Sequence, residues 1–391
     1  MGTTFLHAHA AHADALQALA SANTELRAAA ARRPDFRPTL AFLYFSDHHA
    51  ARAEALLASL QGAWPGVAVA GGVGIGVAAS GVEYFDEPGL ALMLCDLPRT
   101  SFTLFHGRAP LTRDDACAAL VHADPSTPDL AALIAELSDR LPTGYLFGGL
   151  ASSRARTLTL ADGVFEGGLS GVAFGRDVPL LSRVTQGCQP LGKPRRVTAA
   201  EGNIVFELDG EPALPLWLTE LDVDAKRMPE VIDALRHTLV GLTDEADQAL
   251  TRGGQFGADT RVRHLIGLDP TRQALAVADR VEPGTQLAFC SRDVEAARRD
   301  LVRICSEIRE EAETSVAIAG RESIAAPRRI AGAIYVSCTG RGGAHFGAPS
   351  AELQIVRRAL GDVPLVGFYA AGEIARHHLY GYTGVLTAFL D

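Results

Sequence analysis

The sequence lacks the features that mark several classes of protein. Six cysteines occur among 391 residues, with no C-x-x-C pair and no clustered histidine partners. This spacing excludes the usual zinc-ligand patterns, so we expect no metal site. Isolated cysteines within apolar runs are typical of a reduced, cytoplasmic protein.

Long apolar segments and a basic surface are also missing. No run of about 18 apolar residues occurs, and residues 1–20 lack a basic start followed by an apolar core. We therefore expect no membrane span and no signal peptide, and hence a cytoplasmic location. The net charge is −10, and the only dense basic cluster is residues 193–196. Nucleic-acid binding is not expected, because neutralising phosphates requires a concentrated basic surface.

The composition is that of a globular protein with room for two domains. Hydrophobic residues make up 48% of the chain and charged residues 21%. Residues 187–215 are rich in glycine and proline around one predicted strand, and we place the domain change just after the turn Asp209-Gly210 that follows this strand. This gives domains at 1–212 and 213–391, and the alanine-rich residues 8–31 predict an N-terminal helix.

An order of strand, helix, proline, strand and glycine pair occurs three times. The copies begin near residues 40, 90 and 330. Each is followed by a small hydroxyl residue, glycine and valine, at 80–82, 170–172 and 383–385. The pattern predicts an α/β protein with mixed sheets of the α+β kind. We expect two related domains, each built from strand–helix–strand–hairpin units. Mixed sheets are expected because hairpins alternate with crossovers.

The last copy carries the clearest candidate site. An apolar run ends at Cys338 and opens into a glycine-rich loop with Arg341, and a second run ends at Gly372-Glu373. Two strand ends therefore bring Arg341 and Glu373 toward one sheet edge, where open α/β sheets bind ligands. A guanidinium suits a carboxylate and a carboxylate suits an ammonium, so the pair matches a zwitterion. Alternatively, the two form a salt bridge with each other.

An enzyme remains the alternative function. Cys338 beside Arg341 would have a lowered pKa, with His345 as a candidate base, which suggests a hydrolase or transferase acting on a small metabolite. Isolated cysteines of this kind are also commonly structural. The glycine run at 71–76 resembles a phosphate loop, but it precedes a predicted strand rather than a helix. We therefore expect its glycines to serve close strand packing, and we expect no cofactor.

The order of these motifs resembles the FIST family of predicted sensory domains. The residues shared with its C-terminal half are Cys338, Arg341-Gly342, Phe346, Glu352, Pro364, Gly367-Phe368, Gly372-Glu373-Ile374 and Tyr382-Thr383. Those shared with its N-terminal half are Gly71-Gly72, residues 147–152, 162–163, 167–168, 187–192 and 209–213. The resemblance covers nearly the whole chain, from about residue 37.

The resemblance implies a cytoplasmic sensory protein that binds a small ligand, with amino acids or similar zwitterions as the proposed class. Because the chain stops soon after the last motif, we expect its output to pass through a separate signalling protein or through homo-oligomers. Tyr380 is a further candidate contact, although packing is its ordinary role. The ligand-binding residues implied by the resemblance are Cys338, Arg341, Glu352, Phe368, Gly372, Glu373 and Thr383.

Overall fold

The structure, a computed structural model, describes residues 3–112, 116–243, 260–314 and 327–391. Within these ranges the chain forms seven α-helices and several mixed sheets, so the expected α/β class is confirmed. The chain divides into two compact units, one of residues 1–185 and 298–391 and one of residues 186–297. This spatial division differs from the sequence boundary expected between residues 212 and 213.

The helices and strands follow one another in three stretches. The first contains β1 (Phe5–Ala11), α1 (Ala15–Ala31), β2 (Leu40–Ser46), α2 (Ala53–Ala63), β3 (Ala68–Gly74), β4 (Gly76–Ala79), β5 (Val82–Phe85), β6 (Gly89–Cys95), β7 (Phe102–His106), β8 (Ala116–Ala123), α3 (Leu130–Asp139), β9 (Tyr145–Leu150), β10 (Thr159–Ala161), β11 (Val164–Phe165), β12 (Leu169–Gly175) and β13 (Leu180–Gln186). The second contains β14 (Cys188–Pro190), β15 (Arg195–Glu201), β16 (Ile204–Leu208), β17 (Glu211–Pro212), α4 (Ala213–Glu220), α5 (Met228–His237), β18 (Leu239–Thr243), β19 (Arg261–Asp269), β20 (Ala274–Val277) and β21 (Gln286–Arg292). The third contains α6 (Val294–Glu313), β22 (Ile330–Cys338), α7 (Ala351–Leu360), β23 (Leu365–Ala370), β24 (Glu373–Ala375), β25 (His378–Tyr380) and β26 (Thr383–Leu390).

Three six-stranded sheets of the first unit share one plan. Each has a central parallel pair, flanked on both sides by antiparallel strands. All three copies of the sequence repeat therefore lie in this unit. The strand orders are β1-β6-β2-β3-β10-β11, β7-β12-β8-β9-β24-β25 and β13-β26-β22-β23-β4-β5.

Each copy gives its hairpin to the sheet of another copy. Hairpin β4–β5 follows β3 in the chain but pairs with β23. Hairpin β10–β11 pairs with β3, and hairpin β24–β25 pairs with β9. The exchange is cyclic, and it explains why C-terminal strands belong to the same compact unit as N-terminal strands.

The structure corrects the alignment of the copies. Residues 90–95, expected to open the second copy, form the closing strand β6 of the first. The second copy opens with β8, whose alanine-rich sequence has a low strand propensity and gave little signal. Similarly, Ser80-Gly81-Val82 lies at the turn between β4 and β5, whereas the motifs at Ser170 and Thr383 belong to the closing strands.

The N-terminal helix is shorter than expected. Residues 5–11 form β1, which pairs with β6, and α1 begins only at Ala15. Asp14 is its N-cap, since Oδ1 accepts hydrogen bonds from the backbone N–H of Leu16 and Gln17. Pairing along a buried neighbouring strand outweighs the helix propensity of the alanines. The described residues contain no group of three or more His, Cys, Asp or Glu side chains arranged to hold a metal.

The three sheets pack their inner faces around one central core. Phe42, Tyr44, Leu120, Ile334 and Val336 belong to this core, and all are buried. Helices cover the outer faces: α1 and α2 the first sheet, α3 the second, and α6 and α7 the third. Strands such as β2 are buried on both faces, which explains their continuous apolar runs.

One glycine in each copy permits the close approach of the parallel strands. A Cβ atom on Gly367 would lie 1.7 Å from the carbonyl oxygen of Tyr335. Gly71 and Gly148 occupy the same register position, with corresponding distances of 1.9 and 2.0 Å. The glycine run at 71–76 thus lies in β3 and β4, where it serves strand packing as expected.

The second unit is a small antiparallel barrel. Strands pair in the order β21-β15-β16-β20-β19-β18, and β18 pairs back with β21, so the sheet closes. Trp217 on α4 is fully buried in its apolar core. Among the described residues of the whole chain, no helix is both long and apolar enough to cross a membrane.

We predict that Gly367→Ala lowers the free energy of unfolding by about 1–3 kcal/mol, because the new methyl group meets fixed backbone. The control is Gly62→Ala in α2, where nothing lies within 4 Å of the added Cβ. This control should leave stability unchanged or raise it. Urea unfolding followed by circular dichroism measures both, and equal midpoints for Gly367→Ala and wild type would contradict the close-approach argument.

Candidate functional site

The candidate site lies at the carboxyl end of the parallel pair β22 and β23. Cys338 is the last residue of β22, and Glu373 begins β24 just after β23 ends. Thr383 begins the closing strand β26, which lies antiparallel to β22. The fold thus brings Cys338, Arg341, Glu373 and Thr383 close together, and for Arg341 and Glu373 the sequence predicts this convergence.

Arg341 forms its ion pair with Glu352 rather than with Glu373. Its Nε and Nη2 each lie 2.7 Å from Oε1 of Glu352, and both side chains are 1% exposed. Tyr335 and Ser337 also donate hydrogen bonds to the Glu352 carboxylate, at 2.8 and 2.9 Å. The salt bridge between Arg341 and Glu373 that the sequence analysis considered is therefore not formed. Arg341 instead pairs with Glu352, which lies in the first turn of α7.

The second edge of the Arg341 guanidinium has no hydrogen-bond acceptor in the described part of the chain. Nη1 has no hydrogen-bond partner among the described residues, and Nη2 contacts Glu352 only through the ion pair. The ring of Phe346 lies against the guanidinium, 5.1 Å from its central carbon, and holds the group in place. Arg341 thus keeps N–H donors available at a buried position.

Glu373 is fully buried and only half of its carboxyl group is satisfied. Oε2 accepts hydrogen bonds from the backbone N–H and the hydroxyl of Thr383, at 3.2 and 2.7 Å. Oε1 has no hydrogen-bond partner among the described residues. Burial raises the pKa of Glu373 to about 8, against the opposing effects of Thr383 and of the Arg341 charge.

The Cys338 thiol is protonated at neutral pH. Burial, followed by the nearby Glu373, raises its pKa to about 12, although backbone N–H groups of Gly340 and Tyr382 favour the thiolate. His345, the candidate base, packs edge-on against Phe346. The geometry therefore gives little support to a nucleophilic cysteine.

Ser46 is the residue of the first copy that corresponds to Cys338, and its role is structural. Ser46 ends β2 as Cys338 ends β22, and its hydroxyl accepts the backbone N–H of Gly89 at the start of β6. A small polar side chain at this position thus ties the central strand to its closing strand. Cys338 likewise accepts a backbone N–H beside its closing strand, that of Tyr382, one residue before β26.

Three other candidate residues have structural roles. Phe368 stacks on Tyr44 in the central core, with ring centroids 5.2 Å apart, and Tyr380 belongs to the same core. The carbonyl of Gly372 accepts the backbone N–H of Leu150 at 2.8 Å, which joins the site loop to the second sheet.

Sequence reasoning missed several polar residues behind the site. Tyr335 and Ser337 lie two residues apart on one face of β22, a period that was readable from the sequence. Glu83 comes from the exchanged hairpin and accepts hydrogen bonds from the Tyr369 hydroxyl and from the Ser350 N–H. Burial raises the pKa of Glu83. The position of Glu83 beside the third sheet could not be predicted, because no sequence pattern indicates the hairpin exchange.

The site is closed to solvent. Cys338 is 8% exposed, and Arg341, Glu373 and Thr383 are 1% exposed or less. The first unit also has a cavity of about 670 Å³ lined by Arg33, Arg309 and Arg328 among others, but it lies at the start of β22 and not at its end. Access to the site therefore requires the loops around it to move.

We predict that Arg341→Ala destabilises the protein by about 3–5 kcal/mol, because it leaves the Glu352 carboxylate buried without its partner. The double variant Arg341→Met with Glu352→Gln should recover much of that loss. The control is Arg140→Ala, which breaks a surface pair with Glu136 and should cost less than about 1 kcal/mol. Chemical denaturation measures all three, and a wild-type midpoint for Arg341→Ala would refute the buried-pair argument.

We also predict that Cys338 resists alkylation in the folded protein, because its thiol is buried and its pKa is raised. Cys117 is half-buried and serves as the internal control that iodoacetamide should label first. Peptide mass spectrometry after timed labelling at neutral pH measures each site. Rapid labelling of Cys338 before Cys117 would revive the enzyme hypothesis.

Comparisons with known proteins identify the family of the chain. The family models described as the FIST N domain and the FIST C domain match residues 39–211 and 213–376. The uncharacterized protein Rv0628c of Mycobacterium tuberculosis (strain ATCC 25618 / H37Rv) is 31% identical over 384 residues, which cover 90% of this chain and 92% of that protein. The uncharacterized protein Mb0898c of Mycobacterium bovis (strain ATCC BAA-935 / AF2122/97) is 30% identical over 381 residues, covering 90% and 91%. The chain therefore belongs to the FIST family, as the order of its motifs predicts.

Proposed function

We propose that this protein is a cytoplasmic sensor that binds an amino acid or a similar zwitterion at Arg341 and Glu373. FIST domains are in general sensory domains. One observation carries the ligand class: two buried side chains at the same sheet edge, a guanidinium and a carboxyl, each keep a polar atom that has no hydrogen-bond partner among the residues that the structure describes. Buried polar groups are almost always paired, so unpaired ones indicate a partner that comes from outside the chain.

The geometry of each group suits one end of a zwitterion. Glu352 engages Nε and Nη2 of Arg341, which leaves the edge formed by Nη1 and Nη2 for a ligand carboxylate. Oε1 of Glu373 is an acceptor for a ligand ammonium group. Thr383 fixes the other carboxyl oxygen, so the acceptor is held in one orientation.

Burial of the site suggests how binding would be sensed. Because the polar groups are closed to solvent, a ligand enters only when the surrounding loops open. A ligand that binds one loop arrangement more tightly than the other shifts the population between them. We propose that a separate signalling protein, or a second copy of the chain, responds to that shift.

The test is a thermal-shift screen of the purified protein against the twenty common L-amino acids, each added singly. A ligand at about 100 times its Kd should stabilise the protein by about 2.7 kcal/mol. Arg341→Lys should abolish the shift, because a lysine keeps a charge opposite Glu352 but cannot offer two parallel donors to a carboxylate.

The control variant is Glu83→Gln, which alters another buried carboxyl of the same unit and should keep the ligand response. A flat screen with the wild type would reject the amino-acid sensor. An unchanged shift in Arg341→Lys would reject Arg341 as the carboxylate-binding group.

A further inference from the structure

The strands around Glu373 supply few charged groups. Strand β24 packs against β9, β22, β25 and β26, and no residue of β26 is ionisable. Arg341 acts on Glu373 through its charge, and Arg341 is itself paired with Glu352. The ionisable side chains on the other packed strands are Tyr145 on β9, Tyr335 and Cys338 on β22, and His378 and Tyr380 on β25.

The charge balance leaves Glu373 without a counter-ion of its own. Arg341 is the one permanent cation among these described side chains, and its Nε and Nη2 are both 2.7 Å from Glu352. The direct hydrogen-bond donors to Glu373 are the N–H and hydroxyl of Thr383 and the thiol of Cys338, all of them neutral. An ionised carboxylate is costly in such surroundings, because neutral donors compensate only part of its lost hydration.

We infer that Glu373 carries a proton in the ligand-free protein and releases it when a ligand ammonium group binds at Oε1. This inference rests on the proposed function and narrows its ligand class to compounds that bear an amine as well as a carboxylate. The exchange balances, because an ammonium ligand and a neutral carboxyl become an ion pair and one proton passes to water. Glu373 thereby becomes a specificity-determining residue, since a carboxylic acid without an amine brings no cation to displace the proton.

Proton release gives binding a distinctive pH dependence. Below the pKa of Glu373 the bound ammonium competes with a proton, so the affinity falls as the pH falls. With one proton released, the affinity changes by about tenfold per pH unit in that range. Above the pKa the carboxyl is already ionised, and the affinity levels off until the amine of the ligand itself loses its proton.

The experiment is calorimetric titration with each L-amino acid that stabilises the wild type, in phosphate and in Tris near neutral pH. These buffers differ in heat of ionisation, so the difference between the two binding heats counts the protons released. The wild type should release about one proton per ligand at a pH below the pKa of Glu373. Glu373→Gln should release none, and its remaining affinity should no longer depend on pH.

The matched control is Glu83→Gln, since Glu83 is a second buried carboxyl with a raised pKa in the same unit. It should release the same number of protons as the wild type. Loss of release in both variants would overturn the assignment to Glu373. Binding by the wild type with equal heats in both buffers would overturn the inference and leave the proposed function standing.

An infrared titration of the ligand-free protein tests, without any ligand, whether Glu373 carries a proton before binding. The carbonyl stretch of an un-ionised carboxyl should be present near neutral pH in the wild type and in Glu83→Gln, and reduced in Glu373→Gln. Absence of that difference between wild type and Glu373→Gln would overturn the inference even if amino acids bind. Failure of every amino acid to bind would instead overturn the proposed function and the inference together.

Discussion

Hydrogen bonding between each hairpin and the sheet of another copy is the constraint on which the first unit depends. Because β4–β5, β10–β11 and β24–β25 are exchanged in a cycle, no copy forms a complete sheet alone. The exchange joins three similar sheets around one core and brings together residues that are far apart in sequence. Glu83, for example, approaches the third sheet only because its hairpin pairs with β23.

The same architecture accounts for the unusual number of buried polar groups near β22. The inner and outer faces of the third sheet are both covered, so any polar residue at its carboxyl edge loses contact with water. Glu352 is compensated by Arg341, Tyr335 and Ser337, whereas Glu373 has only neutral donors on one oxygen. Both oxygens of the Glu352 carboxylate thus have partners within the protein, whereas Glu373 keeps one oxygen for the ligand that we propose.

Local patterns predicted the elements well and their partners poorly. The convergence of Arg341 and Glu373 followed from two adjacent parallel strands, a short-range inference that needs only strand ends and one crossover. Glu352 as the partner of Arg341 was less accessible, because its carboxyl also suited the helix dipole at the start of α7. The strand β8 was missed because of its alanines, and residues 8–11 of β1 were read as helix, since pairing with a neighbouring strand overrides weak local preference there. The hairpin exchange leaves no local signature, so the shared first unit was beyond prediction from a single sequence.

The cyclic hairpin exchange also bears on how the chain folds during synthesis. The first sheet contains only strands that precede residue 166, so its strands are all available early. The other two sheets need strands after residue 330, and until then β4–β5 has no sheet to join and β9 lacks its outer neighbour. Such distant pairings close slowly, and unpaired edges are sites of aggregation. Completion of the two later sheets is therefore tied to the synthesis of residues 330–390, and until then the waiting edges of the earlier strands are open to wrong partners.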